Sequence, residues 1–208
     1  MVFIKICGIT NIEDALAAVE AGADALGFNF YPRSPRFIAP AVARSLVERL
    51  PDSVLSVGVF VNEGGPEQVA RIADEVGLKA VQLHGDESPE YCRELGGRFT
   101  IKALRVRDPF DPQSVRLYGT NAILLDAFAG DQRGGTGHVV DCGVASEVSR
   151  LCPKLFLAGG LSPENVAEAI AAVRPYAVDA CSSLESAPGV KDARRVREFV
   201  AAARASVC

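Results

Sequence analysis

The chain has 208 residues, 49% of them apolar and 23% charged, with 22 Lys and Arg against 26 Asp and Glu and a formal net charge of −4. That apolar content excludes a disordered chain, and the length suits one substantial core better than two domains. An acidic balance with 7% aromatics and no tryptophan offers neither the cationic footprint nor the stacking platform that nucleic acid requires.

A first strand is predicted over 2–7, with Ile4 and Ile6 on one face and Lys5 and Cys7 on the other. A lysine beside a thiol lowers its pKa from the ordinary value of about 8.5. A cysteine there also reads as a small buried hydrophobe. A helix is predicted over 11–22, with Asn11 as its cap and Gly22 at its end. Strand 25–29 leads to a loop, 31–36, that carries two prolines, and Pro40 opens a helix to about 50. Strand 54–61 is apolar almost throughout, as in sheets covered on both faces. A helix to 76, strand 80–83, a helix capped by Ser88, strand 99–104 and a weak helix near 112–118 follow. Strand 122–125 runs into Asp126, and a glycine-rich stretch at 129–138 precedes a helix near 141–151. Strand 155–158, a helix to about 173, strand 176–180 and a helix over 193–204 complete the chain.

Eight strand–helix pairs in 208 residues give about 26 residues per unit, with no break in composition. That pattern predicts an α/β fold, a single (β/α)8 TIM barrel forming one catalytic domain over 1–208. The rival, an open doubly wound sheet, would carry Gly-x-Gly-x-x-Gly after its first strand, and none is present.

The carboxyl ends of the strands form the active face of such a barrel. Cys7 ends the first strand and Asp126 the sixth, a layout that suits a proton acceptor and a proton donor on one substrate. Asp126 could also be a turn residue, although Ala127-Phe128 is a poor turn setting. Gly159 and Gly160, followed by Ser162-Pro163-Glu164 at a helix start, read as a phosphate cradle, to which Ser182 and Ser183 add donors. Arg36, between Pro35 and Phe37, either grips a carboxylate or is solvated. Gly134-Gly135-Thr136-Gly137 lacks the Gly-Lys-Ser/Thr ending of a P-loop and reads as a flap over the site.

Six cysteines, none in a Cys-x-x-Cys pair, and two histidines give no zinc-site pattern and no disulfide framework, which implies a reducing cytoplasm. Residues 1–5 lack a secretory pattern, and no run approaches the roughly eighteen apolar residues of a membrane span. A cytoplasmic location without membrane partners is expected.

Taken together the motifs resemble one family, the phosphoribosylanthranilate isomerases of tryptophan biosynthesis. The likeness rests on Lys-Ile-Cys-Gly-Ile-Thr (5–10), Gly-Val-Phe-Val-Asn (58–62), Val-Gln-Leu-His-Gly-Asp-Glu (81–87), Leu-Leu-Asp (124–126), Gly-Gly-Thr-Gly (134–137), Gly-Gly-Leu-Ser-Pro-Glu-Asn-Val (159–166) and Pro-Gly-Val-Lys-Asp (188–192). The resemblance implies an Amadori rearrangement of a small phosphosugar, without metal or organic cofactor, by a monomer or homodimer. It implies Asp126 as general acid, Cys7 as general base, Arg36 on the anthranilate carboxylate, and Gly159, Gly160, Ser182 and Ser183 on the phosphate. The family usually reads Asp-Val-Ser-Ser-Gly-Val-Glu after the eighth strand, whereas this chain has Asp179-Ala-Cys-Ser-Ser183-Leu-Glu185. It also has Val140-Asp141-Cys142 in place of the family's Phe-Asp-Trp. The alternatives are another phosphosugar isomerase or epimerase barrel, and a barrel that binds a phosphate ligand without catalysis.

Overall fold

The computed structural model describes residues 1–106, 109–126, 142–152 and 154–206. Eight parallel strands close into a barrel in sequence order: β1 (Phe3–Cys7), β2 (Ala25–Asn29), β3 (Leu55–Phe60), β4 (Ala80–Leu83), β5 (Phe99–Arg105), β6 (Ala122–Asp126), β7 (Leu155–Ala158) and β8 (Ala177–Ala180). Helices α1 (Ile12–Ala21), α2 (Pro40–Val47), α3 (Pro66–Val76), α4 (Pro89–Glu94), α5 (Cys142–Leu151), α6 (Val166–Val173) and α7 (Ala193–Ala205) connect or follow them. The ring closes where β8 pairs with β1, Lys5 opposite Asp179 and Ile6 opposite Ala180. The (β/α)8 architecture is therefore the one the strand–helix repeat predicts.

Three local features differ from that reading. Residues Pro112–Leu117 form a 3-10 helix, begun by Asp111, whose side chain accepts from the Gln113 amide. The helix after β7 starts at Val166, because the Asn165 side chain reaches back to Ser162 and Gly160 and holds 162–165 as a separate turn. A hairpin, β9 (Glu185–Ala187) with β10 (Val190–Lys191), follows β8. The glycine-rich stretch at 134–137, expected as a flap, and the segment Val140-Asp141 lie outside the described residues.

Strand alternation sends every second side chain into the barrel, and the interior changes character along its axis. At the amino end Phe3, Phe156 and Tyr176 form an aromatic floor, with Phe3 stacked on Tyr176 at 5.7 Å and edge-on to Phe156 at 6.2 Å. Ala25, Val57, Ala80, Ile101, Ala122, Leu124 and Ala177 fill the middle. Polar side chains occupy the carboxyl end, where loop backbone can satisfy them. The outward face packs Ile4, Ile6, Leu26, Phe28, Leu83, Leu125 and Leu157 against the helices.

One ion pair interrupts that outer apolar layer. Lys102 on β5 is buried and donates to Glu87 Oε2 at 2.6 Å and to the Gly85 carbonyl at 2.7 Å. Glu87 in turn accepts from the amides of Asn62, at 2.9 Å, and Gly85, at 3.0 Å. This network ties the loop after β4 to the barrel wall. Removing one partner strands the other charge, so Lys102→Met should cost about 3–5 kcal/mol. The urea midpoint checks it, and the double variant Lys102→Met/Glu87→Gln should lose less.

Candidate active site

A cavity of about 380 Å³ opens at the carboxyl end of the barrel, and all seven residues singled out in the sequence line it: Cys7, Arg36, Asp126, Gly159, Gly160, Ser182 and Ser183. Cys7 and Asp126 end β1 and β6, with β7 and β8 between them around the ring.

Cys7 stands on a charged cluster. Lys5, beneath it on the same face, has no exposed surface and donates to Asp179 Oδ1 at 2.9 Å. Burial alone would lower the Lys5 pKa, but the charges of Asp179 and Cys7 outweigh it and hold the ammonium form. Burial pushes Asp179 up to about 7 against the attraction of Lys5. The Cys7 thiol is held well below its ordinary range. The hydrogen bond from the Cys181 thiol is the largest cause; burial opposes it, and Lys5 and Lys191 add to it.

The backbone makes room for this thiol. A Cβ on Gly27, on the adjacent β2, would come within 2.7 Å of Cys7 Sγ and 3.2 Å of Lys5 Nζ. Gly8 takes φ +78°, and a Cβ there would lie 2.8 Å from the Arg36 side chain and 2.9 Å from Cys181 Sγ.

Arg36 reaches the cavity on a loop pinned to β2. The Asn29 side chain accepts from the Tyr31 amide at 2.9 Å, and Ser34 Oγ accepts from the Arg36 amide at 3.1 Å. Its Nε and Nη2 donate to the two carboxylate oxygens of Glu185 at 2.8 and 2.6 Å. Five N–H groups make up a guanidinium. The Glu185 pair takes two of them and leaves the Nη1 group for a ligand. Glu185 also accepts from Lys191 Nζ at 2.9 Å. Burial would raise the Glu185 pKa, but the hydrogen bonds from Arg36 and Lys191 prevail and lower it. The β9–β10 hairpin supplies both Glu185 and Lys191. Thr10 donates to the Gly189 carbonyl at 2.5 Å and Asp14 accepts from the Lys191 amide at 2.8 Å, which docks the hairpin over β1.

Across the cavity Asp126 Oδ2 lies 3.5 Å from His84 Nε2. Gln82 Nε2 sits 2.7 Å from His84 Nδ1. With the amide donating, Nδ1 accepts and the ring proton resides on Nε2, facing Asp126. Gly159 and Gly160 have φ +93° and +69°, in the left-handed region that glycine tolerates. The Ser183 hydroxyl donates to the Leu161 carbonyl, which fastens the loop after β8 to the loop after β7. Ser182 opens the short 3-10 turn Ser182–Leu184.

The sequence reading missed His84, Gln82, Asp179, Glu185 and Lys191 as parts of the site. Inward alternation on β4 and β8 was the available signal for the first three. The motif at 188–192 was visible without a role, because only the hairpin brings Lys191 beside residue 181. Among the described residues no group of three or more His, Cys, Asp and Glu is placed to hold a metal ion. No helix among them is long and apolar enough to cross a membrane.

The family model described as N-(5'-phosphoribosyl)anthranilate (PRA) isomerase matches residues 4–202. The N-(5'-phosphoribosyl)anthranilate isomerase of Trichlorobacter lovleyi is 52% identical over 200 residues, covering 96% of this chain and 97% of that one. The crystal structure of phosphoribosyl anthranilate isomerase from Thermotoga maritima superposes with a TM-score of 0.91 at 45% identity, covering 99% and 100% of the two chains. A second solved phosphoribosyl anthranilate isomerase, in complex with reduced 1-(o-carboxyphenylamino)-1-deoxyribulose 5-phosphate, superposes with a TM-score of 0.88 at 44% identity, again covering 99% and 100%.

The lowered Cys7 pKa has a direct readout. Iodoacetamide should modify Cys7 with a midpoint well below pH 8.5, because the thiolate persists to lower pH when its pKa falls. Cys92 and Cys152, both pushed up to about 11 by burial, should stay unmodified there. Mass mapping of the labelled peptides checks it, and a Cys7 midpoint at or above 8.5 would overturn the electrostatic account.

Proposed function

The chain belongs to the N-(5'-phosphoribosyl)anthranilate isomerase family of tryptophan biosynthesis, and from that premise we propose how its cavity performs the aldose–ketose isomerisation. The substrate is N-(5-phosphoribosyl)anthranilate and the product 1-(2-carboxyphenylamino)-1-deoxyribulose 5-phosphate. Residues 1–208 act as one catalytic domain. Asp126 is the general acid that protonates the ribose ring oxygen, and the aniline nitrogen pushes the ring open to a Schiff base. Cys7, as thiolate, removes the proton from the second ribose carbon, and the enolamine tautomerises to the ketone.

The observation that carries this reading is the pair of groups of opposite role on one cavity: a thiol depressed by its neighbours on β1 and a carboxyl on β6. His84 Nε2–H, beside Asp126, steadies the carboxylate left after proton donation. The substrate phosphate lies against Gly159, Gly160, Ser182 and Ser183, where left-handed glycines let the backbone approach an anion. Ser183 contributes its backbone, since its hydroxyl already holds Leu161. Arg36 offers the Nη1 edge left beside Glu185 to the anthranilate carboxylate.

Two predictions follow the substrate's fluorescence as it is consumed. Cys7→Ala and Asp126→Asn should each lower kcat by about 10²–10⁴-fold, the share general acid–base groups usually supply, while a product analogue still binds. Near-native turnover in either variant refutes that residue's role. Arg36→Met should act mainly on KM, raising it by about 10–100-fold for the loss of a charge-assisted hydrogen bond, and an unchanged KM would remove Arg36 from the binding site.

A further inference from the structure

Cys181 stands where the family's usual motif has serine, and in the isomerisation described above it exchanges no proton with the substrate but acts only through Cys7. Its position is set by strand register. Lys5 pairs with Asp179 and Ile6 with Ala180, so the register carried one residue further brings Cys7, at the end of β1, beside Cys181, just past the end of β8. Adjacent strands lie about 4.8 Å apart, inside the Cα range of about 4.4–6.8 Å that a disulfide spans. Lys5 and Asp179 meet inside the barrel, and the residues two further along point the same way. Both thiols line the cavity, and the Cys181 sulfur sits against the glycine that follows Cys7: a Cβ on Gly8 would lie 2.9 Å from Cys181 Sγ. Residue 181 lies beyond the last paired residue of β8, with φ −136° and ψ −86°, so its backbone is not held by the ladder.

We propose that Cys7 and Cys181 form an oxidisable dithiol, a modification site at which a hydroperoxide converts the catalytic thiol into a reversible disulfide. The chemistry balances in two steps. The Cys7 thiolate attacks one oxygen of the hydroperoxide; an S–O bond forms, the O–O bond breaks, and sulfur is oxidised to sulfenic acid as an alkoxide or hydroxide leaves. The Cys181 sulfur then attacks the Cys7 sulfur; the S–S bond forms, the S–O bond breaks, and the departing hydroxide takes the Cys181 proton to leave as water.

The neighbours of Cys181 favour that second step. Its thiol is pushed far up by the hydrogen bond to Cys7, by burial and by the negative charge of Cys7. Oxidising Cys7 to the neutral sulfenic acid removes the first and third of these. Lys191 and Arg36, whose charges lower the Cys181 pKa, remain, with Lys191 Nζ 3.9 Å from its sulfur, and the Glu185 carboxylate, also at 3.9 Å, stands ready to accept the thiol proton. The first step thus prepares the nucleophile for the second. Other described thiols lack this setting: burial holds Cys92 and Cys152 up at about 11.

Loss of isomerase activity on oxidation rests on Cys7 being the base, but the disulfide itself does not. The reduced full-length protein is treated with a few equivalents of hydrogen peroxide, quenched with iodoacetamide and digested. The expected result is a linked peptide pair containing Cys7 and Cys181, a fall of two titratable thiols, and reversal of both by dithiothreitol. In Cys181→Ser the linked pair is absent and Cys7 advances to sulfinic acid, which dithiothreitol does not reverse. Wild-type protein in which Cys7 becomes sulfinic acid without a linked pair overturns the proposal, whatever the variant does. A linked pair that forms while isomerisation continues supports the dithiol and refutes Cys7 as the base instead.

Discussion

The structure turns on one buried ammonium. Lys5 has no exposed surface, yet it sits inside a barrel whose interior is otherwise aliphatic and aromatic for most of its depth. A charge there is tolerable only among opposite charges. Lys5, Arg36 and Lys191 supply three positive charges, and Asp179 and Glu185 supply two negative ones. Lys5 and Lys191 lie on the Cys7 side of this set, and their charges offset the burial that opposes a lone thiolate.

Closure of the barrel is what brings this set together. Lys5 and Asp179 are 174 residues apart, and they meet because the last strand pairs with the first. The hairpin after β8 repeats the move at the next level, carrying Glu185 and Lys191 over β1 and Arg36. Cys7 and Asp126 come from separate strands, while the glycine and serine loops lie beside them at the ends of β7 and β8. Three of the loops around the cavity are fastened by bonds of their own: Asn29 and Ser34 under Arg36, Asn165 under Gly160, Leu161 under Ser183. A rigid rim of this kind holds groups at fixed separation without help from the ligand.

The barrel was legible because its signals are local. Apolar runs of strand length, proline and glycine punctuation, and a unit of about 26 residues recur along the chain. That Cys7 and Asp126 share one cavity was legible because strand carboxyl ends meet on one face of this fold. The turn at 162–165 was not, since Ser-Pro-Glu signals a helix start equally well, and only the Asn165 side chain decides against it. Glu185 and Lys191 were hidden for a different reason. Each is an ordinary charged residue in sequence; Glu185 takes its meaning from Arg36, 149 residues away, and Lys191 from Glu185 across the hairpin. Charge pairing of this kind leaves no periodic trace.

Gly27 carries no chemistry, and nothing in its own strand explains it. Yet the volume a methyl group would fill is the volume the Cys7 sulfur uses. The site therefore includes a deliberate vacancy on the neighbouring strand, as necessary as the thiol itself. Anyone grafting this buried thiol and its charged neighbours onto another barrel must transplant the hole along with the residues, and a search that scores only functional groups would overlook half of what makes the nucleus fit.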